Sequence, residues 1–357
     1  MSLTSKERER IKRHILEQIY YSSSTIVNST AQTYNISRTT VNRYLEKMEN
    51  DGIIEKCEDG LCKWKLKEIR KQQFIYFPGR ENLEEDRIFE SDILPLVNKL
   101  PENVVKIWEY VFCEIMNNAI EHAKAEHIGV LVKENILYTH IFISDNGIGI
   151  FENIREYIWN TTKTDITLDE AMSILFVGKM TTNKESHSGE GIFFSSRSLD
   201  RFYIYSSNRI FAHEAYDKNI SADIRTMEDS ESKDKMANEK GTFVVMELWN
   251  QSKRQLKEVF DMFSSDEKGF YKTQISIKSA IPSAFPVSRS QARRLCSGFD
   301  KFEEVELDFS GVDDVGRAFI HEIFCVFLGK HPEININIKN ANSTVESVVR
   351  SVKNTVI

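Results

Sequence analysis

No stretch of this chain approaches the roughly 18 consecutive apolar residues that a membrane-spanning helix requires. The opening residues, Met1-Ser-Leu-Thr-Ser-Lys-Glu-Arg, are too charged for a secretory signal. No membrane partner is therefore expected, and a cytoplasmic location is. Cysteine is sparse: five residues, an odd count with no repeated spacing, which suggests reduced thiols. Cys57 and Cys62 could form half a metal site, but no second Cys/His pair lies near them in the sequence. A basic excess is also missing, since the net charge of −7 argues against a protein that coats nucleic acid along its whole length. The charge is uneven, however. Residues 1–70 carry 13 Lys+Arg against 10 Asp+Glu, so the first segment is mildly basic and the remainder holds the acidity. A hydrophobic share of 41% with 22 Phe supports real cores, and 357 residues suffice for two or three domains.

One helix and the turn after it organise the middle of the chain. Successive helical residues turn by about 100°. In Glu114-Ile-Met-Asn117-Asn118-Ala-Ile-Glu121-His122, the residues Glu114, Asn117, Asn118 and Glu121 therefore share one face. Val105, Trp108, Phe112, Ile115, Met116 and Ala119 form the opposite, core-facing stripe. A carboxylate and an amide at i and i+4 can point into one cavity, the amide oxygen ligating a hard cation and the carboxylate taking a proton from water. Taken alone, the same pattern also describes a solvated helix face.

A predicted strand, Ile141-Phe-Ile-Ser144, runs into Asp145-Asn-Gly147-Ile-Gly149, where glycines allow close approach of backbone to a ligand. A second glycine pair follows in Ser188-Gly189-Glu-Gly191, and Lys240-Gly241-Thr242 opens another strand. The four elements in this order resemble the nucleotide-binding region of the GHKL superfamily, which includes gyrase, mismatch-repair ATPases, histidine kinases and anti-sigma-factor kinases. The resemblance covers about 75–255, with a lid at about 150–188, and the Glu-x-x-x-Asn-Ala-x-x-His order looks most like the anti-sigma-factor kinases. It implies ATP and Mg²⁺ as cofactors. Asp145 then matches the carboxylate that bonds the adenine amino group, Asn118 the Mg²⁺ ligand and Glu114 the general base. Gly147 and Gly149 clear space beside adenine, Gly189 and Gly191 present N–H groups to phosphates, and Thr242 supplies a hydroxyl near adenine. Lys179, with Thr181, Thr182 and Lys184, could reach phosphate oxygens or remain solvated. Asp217 to Lys240, rich in charge and poor in apolar residues, reads as an inserted hairpin. No phosphoacceptor helix precedes this region, which argues against a standard histidine kinase.

The first segment, 1–67, reads as three helices and a hairpin: a helix from a Ser5 cap to about Tyr21, a second over about Thr25 to Tyr34 ending at Asn35, and a third capped by Ser37 and stopping at Asp51-Gly52. Strands at Ile53–Lys56 and Cys62–Leu66 flank a turn at Glu58-Asp59-Gly60. This order resembles a winged helix-turn-helix, with Asn35-Ile-Ser-Arg-Thr-Thr-Val-Asn-Arg-Tyr as the start of a recognition helix. That fold lays its third helix in the DNA major groove. The contacts expected are Ser37, Arg38, Thr39, Thr40, Asn42 and Arg43, with Lys63 and Lys65 in the wing. A protein-docking or dimerisation module is the alternative.

Alternating strands and helices over 270–357 predict a small α/β layer: strands at Thr273–Ile277, Glu304–Asp308 and Asn335–Ile338, helices at 288–297, 314–329 and from Ser343 to Val352. Asp308-Phe-Ser-Gly-Val-Asp-Asp-Val-Gly-Arg-Ala-Phe resembles the STAS-like domains related to anti-anti-sigma factors, a generic α/β interaction domain being the alternative. In those relatives a serine at the start of the following helix is phosphorylated; the alignment puts Ala318 there, so this tail is expected to be a docking or dimerisation surface for a protein partner.

The expectation is an α+β chain with a winged helix, a central Bergerat-type α/β sandwich and a STAS-like α/β tail. Its function would be that of a DNA-binding regulator switched by Mg-ATP binding and slow hydrolysis. The alternatives are a serine protein kinase acting on a separate partner, and a non-catalytic ATP-binding scaffold. Whether it is an enzyme, and whether it is a homodimer, is left open.

Overall fold

The computed structural model describes residues 4–21, 24–57, 63–80, 82–178, 190–214, 240–281 and 285–354. The chain divides into two compact units, one of Met1–Gln73, Leu131–Ile141 and Trp249–Gln251, the other of Phe74–Val130, Phe142–Leu248 and Ser252–Ile357.

In the first unit α1 (Ser5–Tyr20) is capped one residue earlier than expected: Thr4, not Ser5, accepts the Glu7 N–H, and the Thr4 N–H donates back to the Glu7 carboxylate. That reciprocal pair satisfies two orphan donors, which Ser5 could not do with Arg8 at its N3 position. Helix α2 (Ile26–Tyr34) ends at Asn35 in the left-handed region, φ 50°, as its residue type allows. Ser37 caps α3 (Arg38–Asn50) by accepting the Thr40 N–H at 3.1 Å. β1 (Ile54–Lys56) and β2 (Trp64–Leu66) pair antiparallel, Ile54 opposite Leu66. Contrary to the expectation of reduced thiols throughout, Cys57 is disulfide-bonded; Cys62 lies outside the described residues. Cys113, Cys296 and Cys325 are free.

The apolar spacing of α1 and α3 gives this unit its core: Ile11, Ile15, Ile19, Val41, Leu45 and Met48 close on Ile54 and Trp64. Leu137, from far along the chain, completes it and is 6% exposed. Around it Tyr20 Oη and His140 Nε2 are 3.1 Å apart, and the Arg13 guanidinium lies 4.0 Å above the Trp249 ring. Asn250 accepts from the Thr139 hydroxyl and donates to the Asn135 carbonyl. Leu137→Ala should therefore destabilise a unit whose helices are all near the N-terminus, by ~2–5 kcal/mol. Hydrogen exchange of α1 and α3 amides checks this: faster exchange there is expected, and unchanged exchange would show that the core closes without Leu137.

The second unit holds most of a six-stranded sheet. Along the chain come β3 (Arg70–Tyr76), α4 (Glu85–Ile88), a π-turn (Phe89–Ile93), α5 (Leu94–Val97), α6 (Glu102–Glu121), β4 (Ile128–Glu134), β5 (Tyr138–Asp145), α7 (Ile150–Thr162), α8 (Leu168–Val177), α9 (Gly191–Ser198), β6 (Arg201–Ser206), β7 (Arg209–Glu214) and β8 (Thr242–Trp249). The sheet order is β3-β4-β5-β8-β6-β7, with β6 antiparallel to both β7 and β8. Helix α6 follows Pro101, which restricts only its first turn. Its buried stripe is Val104, Ile107, Trp108, Val111, Phe112, Ile115, Met116 and Ala119; Val105 is only half-buried, so the stripe is wider than expected and turned toward Val104. Helical backbone begins ahead of α6, at Glu85.

The same unit continues through α10 (Leu256–Asp261), a short pair of β9 (Ser264–Ser265) with β10 (Gly269–Phe270), β11 (Lys272–Ser276), α11 (Ile277–Ala280), α12 (Arg289–Leu295), β12 (Glu304–Asp308), α13 (Arg317–His321), a π-turn (Glu322–Phe327), α14 (Leu328–Lys330), β13 (Asn335–Lys339) and α15 (Ser343–Lys353). Strands β11, β12 and β13 form a parallel sheet in that order, Ile275 beside Leu307 beside Ile338. Parallel strands need helical crossovers, and α12, α13 and α15 supply buried Leu295, Phe319, Ile320, Val345 and Val349. Among the described residues no helix is long and apolar enough to cross a membrane.

Candidate functional site

The end of β5 is built around Asp145. Its Oδ1 accepts the Gly147 N–H at 2.9 Å, and the backbone and hydroxyl of Thr242 also hydrogen-bond to the carboxylate. The Thr242 hydroxyl in turn accepts the Ile150 N–H at 3.1 Å, fixing the start of α7. Burial pushes the Asp145 carboxyl above its ordinary range, while the Gly147 and Thr242 bonds and nearby His127 pull it back. The carboxylate is thus half-buried and held from two sides.

Two glycines here are required by space. A Cβ on Gly147 would lie 1.9 Å from the Ala123 carbonyl oxygen, and one on Gly241 (φ 108°) 1.9 Å from the Asp145 carbonyl oxygen. Gly241 was not singled out from the sequence as a site residue, although it stands directly before Thr242. Gly149 (φ 85°) takes the cap position of α7.

This turn is stitched to the C-terminal end of α6. The Ile148 N–H donates to the Ala123 carbonyl at 2.9 Å, and the Asn153 amide to the His122 carbonyl at 3.0 Å. One turn and two turns back along α6 stand Asn118 and Glu114, both half-buried. Gly191 opens α9 directly against Glu114: a Cβ there would be 1.9 Å from the Glu114 carboxylate oxygen. Tyr110 lies close by, its phenol pushed up by burial and then by Glu114 and Glu190. The fold therefore gathers Asp145, Gly147, Gly149 and Thr242 at one turn, and Glu114 with Gly191 at the α6–α9 contact. Lys179, Thr181, Thr182, Lys184 and Gly189 lie outside the described residues, as does the expected insertion apart from Lys240.

The other candidate surface is on α3. Arg38, Thr39, Asn42 and Arg43 are exposed, and among the described residues no carboxylate comes within 4.0 Å of either arginine. Ser37 and Thr40 serve the helix instead, their hydroxyls 2.9 Å apart in the cap. Lys63 and Lys65 are exposed on the wing, Lys65 paired with Glu55 at 3.1 Å.

Residues 8–55 match the family model for a winged helix-turn-helix DNA-binding domain. The head is a winged helix-turn-helix. Residues 291–346 match a STAS-like domain of unknown function (DUF4325). The chain thus carries a DNA-binding type of head and a STAS-like layer, a combination that suggests a DNA-binding regulator. No ATP-binding family model matches the segment between them, and no curated protein matches the chain. In the STAS-like layer Gly316 caps α13, followed by Arg317 and Ala318, so no hydroxyl stands at the helix start where a phosphorylated serine would be needed.

Proposed function

We propose that this chain is a DNA-binding regulator whose middle segment binds Mg-ATP and hydrolyses it slowly, the nucleotide altering how the winged helix and the STAS-like layer act. The observation that carries the reading is the cradle at Asp145: a half-buried carboxylate, two glycines that no other residue could replace without collision, and a hydroxyl from β8, tied through Ala123 to the helix bearing Asn118 and Glu114.

The residues fit the group. An adenine amino group donates, so it needs an acceptor; the Asp145 carboxylate is one, and guanine's carbonyl at that place would meet repulsion. Asn118 offers a single amide oxygen to a hard cation. A Mg²⁺ ion in such a site is held mainly by phosphate oxygens and water. When bound, that ion would neutralise phosphate charge. Gly191 brings the N-terminus of α9, with its outward N–H groups, beside Glu114. Glu114 would accept the proton of an attacking water.

Asp145→Asn tests the reading. It places a donor against the adenine amine and loses a partly buried hydrogen bond, so binding should weaken by ~1–3 kcal/mol, about 5- to 150-fold in Kd. Calorimetry with a non-hydrolysable ATP analogue and Mg²⁺ measures it. Equal affinity in variant and parent, or no binding by the parent, removes the nucleotide from this account. Product analysis separates the rivals: free phosphate fits an ATPase, labelled protein a kinase, and neither a scaffold.

A further inference from the structure

Strand β11 of the STAS-like layer is hydrogen-bonded to two helices, α8 and α9, the second of which opens against Glu114. The Thr273 hydroxyl, fully buried, donates at 2.7 Å to the carbonyl of Val177, the last residue of α8. Such a terminal carbonyl has no partner within its own helix. One residue along, the Gln274 carbonyl accepts from the Arg197 guanidinium in α9, which also donates to the Phe193 carbonyl. The same guanidinium lies 3.4 Å over the Phe193 ring and 5.3 Å from that of Phe263. Among the described residues no carboxylate pairs with it, and desolvation lowers its pKa to about 9. A cation kept in so apolar a place without a counter-charge costs stability unless its donors are matched by fixed acceptors. The aromatic contact is continuous as well, with Phe193 against Phe270 at 4.5 Å and Phe194 against Phe260 at 4.3 Å between ring centres. The other end of α9 is Gly191, in contact with Glu114.

We propose that Arg197 and Thr273 are positioning residues: Arg197 fixes α9 on β11 and Thr273 the end of neighbouring α8, and so the place of Gly191 against Glu114, making the STAS-like layer part of the nucleotide site's geometry. The proposal rests on the ATP reading for its function but on the α9–β11 contacts for its mechanics. Neither residue touches the nucleotide. Because linkage is reciprocal, whatever loosens β11 weakens nucleotide binding, and nucleotide binding tightens β11.

Hydrogen exchange on the full-length protein, with and without a non-hydrolysable ATP analogue and Mg²⁺, tests this in the parent, Thr273→Val and Arg197→Lys. Thr273→Val removes one donor at near-constant volume; Arg197→Lys keeps the charge and loses the planar fork. Expected are faster exchange across α9 and around Glu114 in α6, and analogue binding weakened about 5-fold or more. In the parent, the analogue should slow exchange in β11. Exposed Glu346→Ala in α15 should change none of these. Faster exchange confined to β11, with α9 and analogue affinity as in the parent, overturns the proposal. If Arg197→Lys fails to fold, the parent decides: exchange in β11 left unchanged by bound analogue overturns the proposal. A parent that ignores the analogue defeats the ATP reading, and exchange in α9 and α6 then judges the mechanical coupling by itself.

Discussion

Glu114→Ala is expected to slow ATP hydrolysis about 10²–10⁴-fold while leaving Mg-ATP affinity close to that of the parent. The carboxylate stands on α6 two turns before the cradle that would hold adenine, and it faces the first residue of α9. A base that acts on water contributes in the transition state more than in the bound ground state, so kcat should fall and KM should not rise. Removing the side chain opens space beside Gly191 and creates no collision, which keeps the variant interpretable. Glu114→Gln, nearly isosteric and unable to take the proton, should be as slow as the alanine variant. Phosphate release under single-turnover conditions, next to analogue binding, is the measurement. A Glu114 variant with parental turnover would show that Glu114 is not the base, and a parent without turnover would leave the scaffold reading in place; a variant that loses binding would mean that the carboxylate shapes the pocket.

Arg38→Ala combined with Arg43→Ala should weaken DNA binding by about 1–3 kcal/mol for each arginine that reaches a base edge, and lower the salt slope by about one for each that reaches a phosphate. Both side chains are exposed on α3 and without a carboxylate partner among the described residues, so their charge is available to DNA. Ser37→Ala provides the contrast. Its hydroxyl is committed to the Thr40 N–H, so it should cost about 1 kcal/mol of head stability and leave the salt slope alone. Binding titrations at several salt concentrations distinguish the two kinds of loss. If the parent itself shows no salt-dependent binding to duplex DNA, the winged helix is a docking module.

Much of the architecture was legible because it is written in short range. Three helices and a hairpin in the head, the end of α2 at Asn35, the helix from Pro101 and the alternating strands and helices of the STAS-like layer all follow from residues within a few positions of one another. The glycines at 147 and 191 were equally visible as glycines. Their reason was not: it is the Ala123 carbonyl in one case and the Glu114 carboxylate in the other, both distant in sequence.

Where the reading stopped, the missing partner was in most cases remote. The cap of α1 is the exception: Thr4 takes it over Ser5 because Glu7 stands three residues on and closes a reciprocal cap, a pattern present in the sequence itself. Leu137 and Trp249 join the first unit from far beyond its hairpin, and no local pattern announces that. Gly241 matters because Asp145 passes against it, and Arg197 because β11 presents a carbonyl to it. The sequence by itself determined which segments are helix, strand and turn, and which side chains could do chemistry, since propensity, capping and periodicity act over a few residues. Tertiary structure alone decided which of those side chains meet, because a contact between distant residues depends on how whole elements pack, and packing is settled by the burial of faces contributed from every part of the chain.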